Sequence, residues 1–191
     1  MNDIKNAAEI LKSGGVGIFP TDTAFALGCR IDNEKAVERL FSLKHRSENH
    51  AVPVLVSGIE MAKKYVVGIN EEVTQLINRY WPGGLTLVLV ANEEKVPLLV
   101  RGQGQTVGVR EPNHEIARQL IEEVGVPLIG TSANFHGKPT AYSFDALDKE
   151  LIEKVDFALE GECKLGIVST VLDCSQSPWK IIRQGALEIN V

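Results

Sequence analysis

Apolar positions along the chain switch repeatedly between a helical spacing and short extended runs. Ile4, Ala7, Ala8 and Leu11 recur every three or four residues and so share one helical face; Asp3 is placed to cap that helix and Gly14-Gly15 to stop it. The run VGIF (16–19) reads as a short buried strand, leads into the polar turn PTDT (20–23), and is followed by the extended stretch AFALGCRI (24–31). Asn33 predicts the cap of a second helix with Ala36, Val37, Leu40, Phe41 and Leu43 on or near one face. VPVLVS (52–57) is a strand; IEMAKKYV (59–66) and NEEVTQLINRYW (70–81) are helices, the second closed by PGG. LTLVLVA (85–91) and TVGVR (106–110) are strands, and NHEIARQLIEEVG (113–125) is a capped helix. PLIG (127–130) is a strand running into the polar turn TSAN (131–134). SFDALDKELIEKV (143–155) reads as one helix, and FALE, STVLDC and KIIRQG as strands.

Strand–helix–strand passages imply parallel pairing in an α/β sheet, while the closely spaced strands at 85–110 and 156–184 imply antiparallel pairs. The expectation is therefore a twisted, open, mixed parallel and antiparallel sheet with helices on its faces. Glycine and proline are dispersed and no repeat or low-complexity segment interrupts the chain, so residues 1–191 are expected to form one domain. The polar turns PTDT, VREP and TSAN fall at strand ends, where such folds hold ligands.

Composition narrows the function classes. A net charge of −5 argues against a broad polyanion-binding surface, so a nucleotide or RNA site has to be a local concentration of cations. Cys29, Cys163 and Cys174 form no CxxC pair and do not combine with the four histidines at zinc-like spacing. Sparse unpaired thiols suggest a reducing compartment, and the N-terminus lacks the apolar run of a signal peptide. No segment is long enough to span a bilayer; the expectation is a cytoplasmic protein with no membrane partner and no bound structural metal.

Against that acidic background, Lys44 and Arg46 stand two apart at the exit of a helix, with His50 close behind. Cations there complement the helix macrodipole, which accounts for one lysine. Two on an extended exit would point the same way and suit a phosphate chain, arginine binding bidentately and lysine as a point charge. Ser132 and Asn134 are likewise two apart after a strand. They fit a locally capped turn, or a small-residue turn that holds an anion. The glycine-rich phosphate loop GxxxxGK[ST] is absent. Thr23 in PTDT, Arg110 at a strand end, and Ser169, Thr170 and Arg183 near the C-terminus are polar groups without an individual signature; Asp22 in PTDT is the one loop carboxylate that stands out. His114 beside Glu115 opens a helix and is expected to be exposed; His45 and His136 lack a clear partner, no Ser/His/Asp or Cys/His arrangement follows from spacing, and Trp81 before Pro82-Gly83-Gly84 reads as a packing anchor.

In this order, GIFPTDTAFALGC, LFSLKHR, WPGGLTLVL, VGVREPNHEIARQL, PLIGTSANFHGKPT, STVLDC and IIRQG resemble the threonylcarbamoyl-AMP synthase family, also called YrdC/Sua5, over nearly the whole chain. Lys44, Arg46, Ser132 and Asn134 match its KxR and SxN signature. The resemblance implies a YrdC-like α/β fold with a large basic cavity. It implies an enzyme, a nucleotidyltransferase that joins L-threonine, bicarbonate or CO2, and ATP into threonylcarbamoyl-AMP and diphosphate. ATP is then a substrate with Mg²⁺ accompanying it. A separate transferase complex would use the product for the threonylcarbamoyl modification of adenosine 37 in tRNAs reading codons that begin with A. The resemblance gives Lys44 and Arg46 the triphosphate and a catalytic role. It gives threonine to Thr23, Arg110, Ser169 and the Gly130 backbone, and the nucleotide to His50, Thr106, Ser132, Asn134, Thr140 and Arg183.

The chain departs from the family pattern at several places. Phe25-Ala26 stands for Tyr-Gly, Ser47 for Pro, His50-Ala51-Val52 for Lys-Pro-Leu, and Gln184 for the Pro of Arg-Pro-Gly; Leu55 stands where some members place a histidine. The chain also ends six residues after Gly185, so the C-terminal domain of the longer members is expected to be missing. The alternative reading is a divergent paralogue that binds a nucleotide or double-stranded RNA without full synthase activity.

Overall fold

The structure is a computed structural model that describes residues 2–45 and 49–189. Its strands form two hydrogen-bonded sheets. The strands are β1 (Gly17–Phe19), β2 (Ala26–Gly28), β3 (Val54–Leu55), β4 (Val66–Val67), β5 (Leu85–Ala91), β6 (Thr106–Arg110), β7 (Leu128–Ile129), β8 (Thr131–Ser132), β9 (Phe157–Ala158), β10 (Thr170–Asp173) and β11 (Lys180–Arg183). One sheet has the order β8-β2-β1-β9; the other runs β11-β10-β5-β6-β3-β7, with β4 against the far end of β5. Parallel pairs (β1 with β9, β10 with β5, β3 with β6) occur beside antiparallel ones, so the sheets are mixed and open as the sequence predicts.

The two sheets meet where β2 passes β7. Ile129 donates its amide to the Cys29 carbonyl at 2.8 Å, and Ile31 donates to Pro127 at 3.2 Å. The chain then crosses from one sheet to the other through Gly130. A Cβ at this position would lie 2.4 Å from Leu55 Cγ, so only glycine passes the crossing without displacing its neighbour.

The short strands are apolar on both faces because both faces are covered. Ile18, Leu27, Val54, Val56 and Ile129 pack into the larger apolar cluster. Their sequence neighbours Phe19, Ala26, Leu55 and Leu128 pack into the other, against helices α1 (Asn2–Lys12) and α5 (Glu115–Val124). Successive strand side chains point to opposite faces, so burial on both sides produces near-continuous apolar runs. Helix α2 (Glu34–Lys44) starts at Asn33, whose side chain accepts from Ala36 N at 3.0 Å, and buries Ala36, Val37, Leu40 and Phe41. Helix α4 (Glu71–Tyr80) is capped by Asn70 and ends at Trp81, an almost fully buried anchor that donates Nε1 to Leu85 O at 2.8 Å.

Four expectations are corrected. Helix α1 begins at Asn2, so Asp3 lies inside its first turn rather than at the cap. Helix α3 covers only Ile59–Ala62, because Val66, a β-branched residue that is buried here, pairs with Ala91 instead of extending the helix. The stretch 143–155 breaks into a 3-10 turn, Phe144–Ala146, and helix α6, Lys149–Lys154; Asp148 restarts the helix by accepting from Glu150 N at 2.9 Å. His114, with no side-chain capping bond, precedes α5, and the amide of Asn113 turns instead to Asp22 Oδ1 at 3.1 Å. No helix among the described residues is long and apolar enough to cross a membrane.

Candidate functional site

A cavity of about 360 Å³ opens where the two sheets meet. Its walls come from the PTDT turn, the 51–55 segment, strands β5 and β6, the 130–132 crossing, Thr140, and the 168–183 hairpin. A short-range pattern could not have assembled it.

Two arginines organise the polar wall. Arg110, at the end of β6 and 5% exposed, donates Nη1 to Thr23 Oγ1 at 2.6 Å and Nε to Gly83 O at 2.8 Å. Its Nη2 donates to Asp22 Oδ1. Arg183, on β11, donates Nε to Ser169 O and Nη2 to Ser169 Oγ, both at 3.0 Å. Each guanidinium thus holds a hydroxyl that lines the cavity. Burial pulls both arginines below their ordinary pKa, and for Arg110 the Asp22 carboxylate works in the opposite direction. A guanidinium this basic keeps its charge at neutral pH regardless. Only Arg110 has a carboxylate partner; among the described residues Arg183 forms no ion pair. The wall therefore carries a net positive charge in a partly dehydrated recess, which suits an anion.

The hydroxyls have defined roles. Thr21 Oγ1 gives its one proton to Ala24 O at 2.7 Å and accepts from the amides of Thr23 and Ala24 at 3.3 and 3.2 Å. Thr23 Oγ1 accepts from Arg110 and lies 3.1 Å from Thr21 Oγ1; because the Thr21 proton goes to Ala24 O, Thr23 is the donor across that contact, so its hydroxyl is held on both sides. Ser169 Oγ lies 2.8 Å from Thr86 Oγ1, a buried threonine inside the apolar run of β5. Sequence reasoning missed Thr86. The available signal was a hydroxyl at a strand position otherwise filled by aliphatics.

Of the residues singled out in the sequence, Thr23, Arg110, Gly130, Ser132, Thr140, Ser169 and Arg183 line this one cavity. Arg46 and Ser47 lie outside the described residues. Lys44 is placed differently from the expectation. It is 2% exposed, and its ammonium donates to the carbonyl of Ser132, to Asn134 O at 2.9 Å and to Asn134 Oδ1 at 3.3 Å. His136 N donates to Lys44 O at 3.0 Å, so both backbone and side chain tie the end of α2 to the SxN turn. Asn134 also bonds within its loop, donating Nδ2 to Lys138 O at 2.6 Å. The amide of Gly130 is donated to Pro53 O at 3.0 Å, so this N–H is already engaged while the residue lines the cavity. Thr106 shares a strand face with Gly108 and Arg110 but lies beyond the cavity wall. His50 is exposed beside His136, ring centroids 6.2 Å apart, while its neighbours Ala51 and Val52 line the cavity.

Among the described residues no group of three or more His, Cys, Asp or Glu could hold a metal ion, and Asp22 is engaged by Arg110. These residues do not offer a protein-held Mg²⁺ site. The described cysteines are unpaired, and burial pushes the Cys29 and Cys174 thiols up to about 12.

Comparison with known proteins places this geometry. The chain is 36% identical over 187 residues to a threonylcarbamoyl-AMP synthase of Pyrococcus abyssi (strain GE5 / Orsay), covering 97% of this chain and 55% of that protein. It therefore spans about half the length of that relative. It is 31% identical over 164 residues to a threonylcarbamoyl-AMP synthase of Vibrio vulnificus, covering 85% of this chain and 88% of that one. The crystal structure of P. abyssi Sua5 complexed with L-threonine superposes with a TM-score of 0.89 at 36% identity, over 95% of this chain and 54% of that one. The crystal structure of Escherichia coli YciO gives a TM-score of 0.83 at 28% identity, over 96% of this chain and 89% of that one. Residues 9–185 match the sequence profile of the Sua5–YciO–YrdC family, described as telomere recombination, and the chain belongs to that family.

Proposed function

We propose that this chain is an L-threonylcarbamoyladenylate synthase, joining L-threonine, bicarbonate or CO2, and ATP into threonylcarbamoyl-AMP and diphosphate. One observation carries the reading: a single cavity lined by two arginine–hydroxyl pairs, Arg110 with Thr23 and Arg183 with Ser169. The P. abyssi relative with L-threonine in its structure supports the amino-acid half.

The chemistry needs no protein nucleophile. The threonine amine adds to CO2 to give a carbamate, and a carbamate oxygen attacks the α-phosphorus of ATP with diphosphate leaving. Two anions must be brought together and charge building on the phosphates stabilised, which calls for fixed cations and positioning. In this reading Arg110 and Thr23 take the amino-acid end, with Ser169 beside them. Arg183, Ser132, Thr140 and, from outside the cavity wall, Asn134 serve the nucleotide. Lys44 holds the SxN turn in place, and His50 and Arg46, the latter outside the described residues, are assigned to the phosphates. Any Mg²⁺ arrives coordinated by the phosphates of ATP. The walls are drawn from Thr21 through Arg183, so the chain works as one unit. The product passes in the cytoplasm to a transferase complex that modifies tRNA.

The test is threonine-dependent diphosphate release from ATP and bicarbonate. Wild-type protein is expected to release it with L-threonine, and Arg183→Ala to lose about tenfold or more in nucleotide affinity. Release that is indifferent to the amino acid would remove the reading.

A further inference from the structure

We infer that Asp22 is a positioning residue that fixes Arg110, and through Arg110 the Thr23 hydroxyl, for the amino-acid substrate. The inference rests on the amino-acid role proposed for Arg110.

Asp22 is 4% exposed and does not line the cavity; it stands behind it. Its Oδ1 accepts from Arg110 Nη2 and from Asn113 N at 3.1 Å. The backbone amide holds the carboxylate, and the carboxylate holds the guanidinium. Gly83 O takes Nε from the other side, so Nη1 is aimed at Thr23 Oγ1. Asp22 Oδ2 is buried and has no hydrogen-bond partner among the described residues. A buried carboxylate oxygen without a donor is costly, and fold stability alone does not require it. A neutral acceptor could satisfy the Asn113 amide. A full negative charge is needed to keep a buried guanidinium in one orientation. Asp22 also distinguishes the two arginines: it neutralises Arg110 and leaves Arg183 without a carboxylate. A neutralised Arg110 selects by geometry, through two fixed donors, rather than attracting any anion that enters.

The experiment compares wild type, Asp22→Asn and Thr23→Val by NMR of the arginine side chains, with L-threonine and ATP binding measured calorimetrically on the same samples. In wild type without ligand, the Arg110 Nη–H signals should be resolved and slowly exchanging. Asp22→Asn should average them and weaken L-threonine at least about tenfold, with ATP affinity changed less than about twofold. Thr23→Val should keep the Nη2 signal and still lose threonine. Averaged Arg110 signals in wild type, or resolved signals that persist in Asp22→Asn, overturn the inference. If Asp22→Asn does not fold, a threonine titration of wild type decides. A shift of Nη1 with Nη2 unmoved supports the inference, and displacement of both overturns it. A wild type with resolved Arg110 signals but no threonine binding removes the substrate reading while leaving the Asp22–Arg110 arrangement in place.

Discussion

At the scale of single residues, Lys44 shows how an expected ligand group can serve the scaffold. Its charge sits on two carbonyl oxygens of the SxN turn rather than in the cavity. Lys44→Ala should therefore destabilise the free protein, because it leaves buried carbonyls without donors at a cost of roughly 1–3 kcal/mol. For a chain of this size that corresponds to a loss of about 2–8 °C in Tm, read by thermal denaturation without ligand. An unchanged Tm would mean that the lysine serves ligand alone. The sequence showed a cation at the end of a helix. It could not show where the ammonium goes, because its partners lie 88 and 90 residues away. Asp22 stood out as a loop carboxylate, but its partner did not: the guanidinium beside it comes from a strand end 88 residues on. Arg110, Ser169 and Arg183 had no individual signature. The order of motifs that they share with a known family made them legible.

Among the elements, helices α2 and α4 were read best, since capping by Asn33 and Asn70 is local chemistry that acts within a turn. The two-residue strands were harder. Which of the residues in 52–57 or 127–132 pair depends on where β2 and β7 come together, and that is a tertiary event. Gly130 at this crossing gives a direct test. Gly130→Ala should cost about 1–3 kcal/mol by overpacking against Leu55. Combined with Leu55→Ala it should cost less than the sum of the single changes, measured as a double-mutant cycle of unfolding free energies. Strict additivity would mean that the backbone absorbs the methyl without meeting Leu55. Asp156 links other elements. It accepts from Val16 N at 2.7 Å and is paired with Arg39 of α2, which holds its pKa below the ordinary carboxylate value. A depressed carboxylate stabilises the fold above the unfolded pKa and loses that contribution as pH falls through the folded value. Asp156→Asn should therefore lower Tm at pH 7, and the gap to wild type should close as the pH is taken down through and below about 4. A gap independent of pH would assign the effect to shape rather than charge.

For the molecule as a whole, the sequence carried a net charge of −5 and a positive recess at once. The sheet junction resolves this, gathering Arg110 and Arg183 into one cavity while acidic residues such as Glu9, Glu71 and Glu72 lie exposed on helices α1 and α4. The mixed open sheet was legible because apolar runs and turns recur at the spacing that α/β units need. Its division into two sheets was not, because a two-residue strand can join either edge. The central claim is that this cavity makes a mixed anhydride from an amino acid, CO2 and ATP. It is tested most directly by incubating the protein with ATP, 13C-bicarbonate and each of several amino acids, and following products by mass spectrometry. The account predicts threonylcarbamoyl-AMP carrying one 13C, formed with L-threonine and matched by diphosphate, and lost in Arg183→Ala. ATP that binds without yielding a labelled adenylate with any amino acid would contradict it.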